Sequence, residues 1–152
     1  MISKANVEAW IADCLKANGL RGRGRVWRLK GAEVQWVVHV DRLPVGRRLG
    51  VDIGLALQTD VTPRLPTDCP VLVHLENLPW ARDLAVVESL DLKSPLDPDG
   101  RRSEIEAATR RLADYLAGLL TFEAVRDAYR AGDLKAAFIH RDARAFLESS
   151  GE

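Results

Sequence analysis

Residues 49–57 read Leu49-Gly50-Val51-Asp52-Ile53-Gly54-Leu55-Ala56-Leu57, and this alternation decides the fold. Leu49, Val51, Ile53, Leu55 and Leu57 fall on one face of an extended chain, and Gly50, Asp52, Gly54, Ala56 and Gln58 fall on the other. A period of two marks a half-buried β-strand whose large side chains meet a core. The opposite side is made of small residues, which implies either solvent or something lying close against the sheet.

The same period extends upstream. Val34, Trp36, Val38 and Val40 alternate with Gln35, Val37, His39 and Asp41, and Trp27 and Leu29 alternate with Arg28 and Lys30. Gly31-Ala32 joins these two runs as a hairpin, and Pro44 with Gly46 supplies the next turn. Further upstream, Val7, Trp10, Ile11, Cys14 and Leu15 recur at helical spacing. Ser3 is the expected cap, Ile2 with Val7 the staple and Asn18-Gly19 the stop.

Downstream, Pro63, Pro66 and Pro70 make 59–70 a proline-bearing loop that no regular element accommodates. Val71, Val73 and Leu75 give a short fourth strand. Pro79 opens a short helix that Ser94-Pro95 and Asp97-Pro98-Asp99-Gly100 close off. Ser103 with Glu106 forms a capping box for a helix striped by Ile105, Ala108, Leu112, Tyr115, Leu116 and Leu119. Thr121 begins a second helix that ends at Gly132, and Asp133 a third carrying Leu134, Phe138, Ile139, Phe146 and Leu147. Residues 149–152 read as a flexible C-terminus. The expectation is one α+β domain over 1–152, ordered α-β-β-β-β-α-α-α-α. Its four strands form an antiparallel meander, with the N-terminal helix and the C-terminal helices packed on one face.

The 152 residues carry 22 Lys+Arg and 22 Asp+Glu, yet the charges are unevenly spread. Residues 1–50 hold ten basic and four acidic side chains, residues 51–100 three and nine, and residues 101–152 nine of each. A chain with 47% hydrophobic residues and no long apolar run is expected to fold as a soluble globule with no membrane span. Two cysteines are too few for a disulfide framework, and the first twenty residues contain Glu8, Asp13 and Lys16, so no export signal is read there. A cytoplasmic location is expected.

The motifs argue mostly by exclusion. There is no Gly-x-Ser-x-Gly, no phosphate loop and no His-Glu-x-x-His, and Gly22-Arg23-Gly24 lacks the third glycine of a dinucleotide loop. His140-Arg141-Asp142 repeats a kinase tripeptide without the partner motifs of a kinase. His39 and His74 with Asp41 or Asp52 would approach a metal only in the right strand register, and no spacing demands such a site. No residue is assigned to catalysis, to a cofactor or to a metal.

Two surfaces remain. The small face of the third strand makes His39, Gly50, Asp52 and Gly54 a candidate ligand face, where a molecule would approach the backbone closely. Arg21, Arg23 and Arg25, together with Asp60, Asp68 and Glu76, form candidate interaction surfaces of opposite sign. The basic segment 21–30, with Trp27 and Trp36 nearby, has the ingredients of a nucleic-acid platform. The overall charge balance, and the face that Trp27 shares with Leu29, argue against that use.

Several segments resemble a bacterial family of unknown function, the one numbered 4304. They are Asn18-Gly19-Leu20, Arg25-Val26-Trp27-Arg28, Val37-Val38-His39-Val40-Asp41-Arg42 and Leu49-Gly50-Val51-Asp52-Ile53-Gly54, within residues 5–58. That family has a leading helix, an aromatic strand and a third strand at a Leu-Gly pair. Its second strand carries Gln-Lys-Ser where this chain has Val40-Asp41-Arg42. The resemblance implies an α+β fold and no known activity.

The functional expectation is therefore a non-catalytic module that binds an unidentified protein partner, in the manner of an immunity, chaperone-like or adaptor protein. The alternatives are a small-molecule binder or enzyme at the Gly50, Asp52 and Gly54 face, and nucleic-acid binding through 21–30.

Overall fold

The computed structural model describes residues 2–149, with the backbone alone for Asp83. Helix α1 (Lys4–Ala17) leads into strands β1 (Arg21–Arg23), β2 (Val26–Lys30), β3 (Gln35–Arg42), β4 (Leu49–Ala56) and β5 (Val71–His74). Helices α2 (Val86–Leu90), α3 (Pro98–Ala117) and α4 (Phe122–Arg130) follow, then strand β6 (Phe138–Ile139) and helix α5 (Arg141–Glu148). The six strands form one sheet in the order β1-β2-β3-β4-β5-β6, every pair antiparallel. The α+β class and the meander are as the sequence implies, but the sheet has six strands rather than four.

Local chemistry explains where α1 starts and stops. Ser3 Oγ accepts the Asn6 N–H while Asn6 Oδ1 accepts the Ser3 N–H, a reciprocal cap that satisfies two otherwise orphaned donors. At the other end the Leu20 N–H reaches back to the Leu15 carbonyl and the Gly19 N–H to that of Lys16, with Gly19 at φ +95°. Only glycine enters that backbone region without a steric penalty, so the chain turns there and drops Leu20 into the core.

The alternation in β3 and β4 then sets two faces. Trp36, Val38, Val40, Val51, Ile53 and Leu55 are buried in one core cluster with Val7, Ile11 and Leu15 of α1 and Ile105, Leu112 and Leu116 of α3. Trp36 resolves its polar edge by donating Nε1–H to the Leu119 carbonyl at 2.8 Å, so the largest side chain of the core leaves no donor unpaired.

The structure corrects the sequence reading at four places. Gly22 lies in a short edge strand, β1, where Arg21, Gly22 and Arg23 pair with β2 in a stretch to which the sequence reading assigns no strand. Asp97-Pro98-Asp99-Gly100 begins α3 instead of closing the helix before it: Asp97 Oδ1 accepts the Gly100 N–H at 2.7 Å, and proline lacks only a donor that the first turn leaves free anyway. Ser103 and Glu106 thus fall inside α3. The helix expected from Pro79 breaks into a 3-10 turn (Pro79–Asp83) and α2. The helix expected from Asp133 does not form. Tight turns run to Ala137, Phe138 and Ile139 pair with Leu72 and Val71, and the helix starts only at Arg141. Of the expected flexible end at 149–152, only Ser149 is described, with its hydroxyl donated to the Phe146 carbonyl; residues 150–152 lie outside the described residues.

Candidate functional site

On the face of the sheet turned away from α1 and α3, the register aligns side chains in transverse rows. One row runs Arg23, Val26, His39, Asp52, His74, and the next runs Arg21, Arg28, Val37, Gly54, Leu72, Phe138. His39, Gly50, Asp52 and Gly54 therefore do share one face, as their alternation implies. They do not share one environment. A Cβ on Gly54 would stand 2.6 Å from Pro66 Cα and 2.8 Å from Cys69 Sγ, so the proline-bearing loop occupies the space over this glycine. Gly50 lies under Leu43, at ordinary contact distance.

The loop is fastened to the sheet by two side chains. Arg28 donates Nε–H and Nη2–H to the Pro63 carbonyl at 3.3 and 3.0 Å, and Nη2–H also to that of Arg64 at 3.2 Å. Gln35, only 2% exposed, donates Nε2–H to the Gln58 and Val61 carbonyls at 2.9 and 2.6 Å. Beneath the loop Cys69 packs with Val37 and Ala56 in a small second core. Loop backbones without regular structure must find partners for their polar groups, and here β2 and β3 supply them.

Between this fastened loop and α5 lies an open cleft of about 830 Å³. Leu57, Val61 and Phe146 give it apolar walls, and Arg64, Asp68, His140 and Asp142 give it charges of both signs. Val61 is 56% exposed despite its apolar side chain. Phe146 is packed on two sides: the Phe122 ring meets it edge-on at 5.0 Å and the Arg126 guanidinium lies 4.0 Å from its centroid. The α5 wall is anchored in turn by the His140 N–H, which donates to the Pro70 carbonyl at 2.8 Å.

The chemistry of these surfaces is spare. Thr62 is the hydroxyl of the cleft, while His140 Nδ1 faces the Asp142 N–H at 3.3 Å as the cap of its own helix. Activation of a nucleophile needs a base within hydrogen-bond reach, and that pairing is not made here among the described residues. On the open part of the sheet, His74 Nδ1 lies 2.6 Å from Asp52 Oδ1. His39 stands on the other side of Asp52, two strands from His74 and thus roughly 10 Å away along the sheet. No group of three His, Cys, Asp or Glu suited to a metal occurs among the described residues. Burial pushes the Cys69 thiol up to about 12 and also raises Cys14, so both are held as neutral thiols rather than as reactive thiolates.

The candidate charged residues separate. Arg21, Arg23 and Arg25 are exposed on the β1–β2 hairpin, where Arg25 approaches Glu8 at 3.9 Å and Arg42 pairs with the same carboxylate. Asp68 accepts the Leu65 N–H at 3.1 Å and lines the cleft; Asp60 is exposed on the same loop, and Glu76 lies in the 3-10 turn after β5. The α5 contribution to the cleft was not legible in the sequence, because Phe146 matches the spacing of a core residue.

No family model, curated protein or solved structure matches this chain.

Proposed function

We propose that this chain is a non-catalytic protein-interaction module, docking a segment of its partner in the cleft between the 58–70 loop and α5. One observation supports it: an apolar wall of Leu57, Val61 and Phe146, backed by Phe122 and Arg126 and left open to solvent. Pre-ordered apolar side chains around a groove recognise a segment at low entropic cost. The order of helix and strands over 5–58 is compatible with the 4304 family. Two unpaired thiols fit a cytoplasmic setting, and no helix among the described residues is long and apolar enough to cross a membrane.

A photo-crosslinking residue placed at Val61 tests the reading, with Val87 of α2, also exposed, as the control site. The expected result is one protein captured from Val61 alone, whose purified form binds the wild type and loses affinity for Phe146→Ala. The same capture pattern from both positions would overturn it.

A second reading, a small-molecule site, is favoured by the cleft volume of about 830 Å³, which lies within the roughly 300–1,000 Å³ of known ligand pockets. It has moved from the Gly54 face, now filled by the loop, to the loop's other side. Thermal-shift screening with small apolar acids and amides separates the two, since a protein segment leaves no such ligand signature.

A further inference from the structure

A groove of about 750 Å³ runs over the β1–β2 hairpin and ends at Thr62, which also lines the apolar cleft. Arg21, Arg28 and Lys30 line it, and no carboxylate does. Arg21 and Arg28 stand directly opposite each other in the register, a like-charge pairing that is unfavourable between neighbouring strands. Four cations elsewhere meet carboxylates, Arg25 and Arg42 at Glu8, Arg102 at Glu106 and Arg130 at Asp127. Among the described residues, Arg21, Arg23 and Lys30 have no such partner. Arg28 is fixed in place by the Pro63 and Arg64 carbonyls, so its charge is pre-positioned at the groove. β1 also pairs with a strand on one side only, which leaves backbone donors and acceptors along its outer edge.

We infer that the partner segment is acidic and extended, running along β1 with its carboxylates over Arg21, Arg28 and Lys30 before it reaches the apolar cleft past Thr62. This rests on the interaction reading above and adds the partner's chemistry. An added strand presents alternate side chains to one face, and Arg21 and Arg23 are one such alternate pair on the face shared with Arg28. A nucleic acid would supply the charge as well, but single-strand binding uses exposed rings for stacking. Trp27 is only 5% exposed and donates its Nε1–H to the Gly24 carbonyl, and Trp36 is buried in the core. An acidic polypeptide needs no ring.

The test is fluorescence anisotropy with the full chain and three labelled probes: a peptide of alternating Glu and Thr, its Gln and Thr counterpart, and a single-stranded oligothymidylate. The Glu peptide is expected to bind, with affinity falling as NaCl is raised, and the Gln peptide to show no saturation. The double variant Arg21→Gln, Lys30→Gln, both at exposed positions, is expected to weaken the Glu peptide by ~10-fold or more without lowering the thermal midpoint, since it relieves the Arg21–Arg28 repulsion. Equal binding of the Glu and Gln peptides, absence of binding by both, or tighter binding of the oligothymidylate than of the Glu peptide would each overturn the inference. None of these outcomes touches the crosslink from Val61. Loss of that crosslink with the acidic peptide still bound would instead remove the cleft.

Discussion

Asp52 and His74 stand directly opposite each other on β4 and β5, with Oδ1 and Nδ1 2.6 Å apart. The side chains are 21% and 52% exposed, so water and salt screen the contact, and cross-strand pairs of this kind contribute modestly to a sheet. His74→Gln and Asp52→Asn are each expected to cost less than about 1 kcal/mol. Urea unfolding of the two single variants and the double variant measures the coupling; a value well above that would show the pair to be more than a surface contact.

Arg101 presents the opposite situation. It is 2% exposed and donates to the carbonyls of Ser89, Asp91 and Ser94 at 2.8, 2.9 and 3.0 Å and to the Ser94 hydroxyl at 3.0 Å. The guanidinium thereby holds the connection between α2 and α3 through backbone acceptors. Removing it leaves the buried Ser89 carbonyl and the part-buried acceptors of Asp91 and Ser94 without their donor, so Arg101→Ala is expected to cost about 1–3 kcal/mol. Arg101→Lys should recover little, because an ammonium cannot span the same fork of acceptors. Chemical denaturation of both variants checks the magnitude and the order.

Gly54→Ala is expected to lift the loop from the sheet, since the added Cβ would lie 2.6 Å from Pro66 Cα. Overpacking of this kind costs about 1–3 kcal/mol. The local readout is sharper than the stability change. Cys69, covered by the same contact, should react faster with a thiol reagent in the variant, while Cys14 on α1 reacts at the wild-type rate.

Alkali should loosen the fold through Cys69. Its thiol is pushed up to about 12, first by burial and then by Asp68, whereas an unfolded cysteine ionises near ~8.5. The folded state keeps the proton that the unfolded state gives up, so stability is whole below ~8.5 and declines as pH rises toward the folded value. Tyr115, raised by burial and by the hydroxyl it donates to Asp133, adds to the same trend at higher pH. Urea midpoints measured from neutral to alkaline pH should fall, and Cys69→Ala should flatten the early part of the decline.

The legible part of this molecule was its local periodicity. Leu49 to Leu57 announces a buried face and a small face open to solvent or to something lying close, and Pro66 over Gly54 is the second of these. The Arg28 and Gln35 contacts to the loop were not legible, because their acceptors are backbone carbonyls that carry no residue signature. Phe138–Ile139 is too short for a period to register, and it forms because β5 offers an open edge. Asp97-Pro98 reads equally well as a turn or as a helix start. The choice falls to α3, whose Ile105, Leu112 and Leu116 share one core with Val7, Ile11 and Leu15 of α1. For the candidate site, sequence identified the loop and the basic segment 21–30 but neither the β1–β2 hairpin that the segment forms nor the wall that faces the loop.

The two walls of the cleft are moored to different strands. The loop hangs from β2 and β3 through Arg28 and Gln35, and α5 follows β6, the last strand of the sheet. The two walls are also tied to each other, because the His140 N–H that opens α5 donates to the Pro70 carbonyl at the end of the loop, so the gap between Val61 and Phe146 is closed at its base and open only toward solvent.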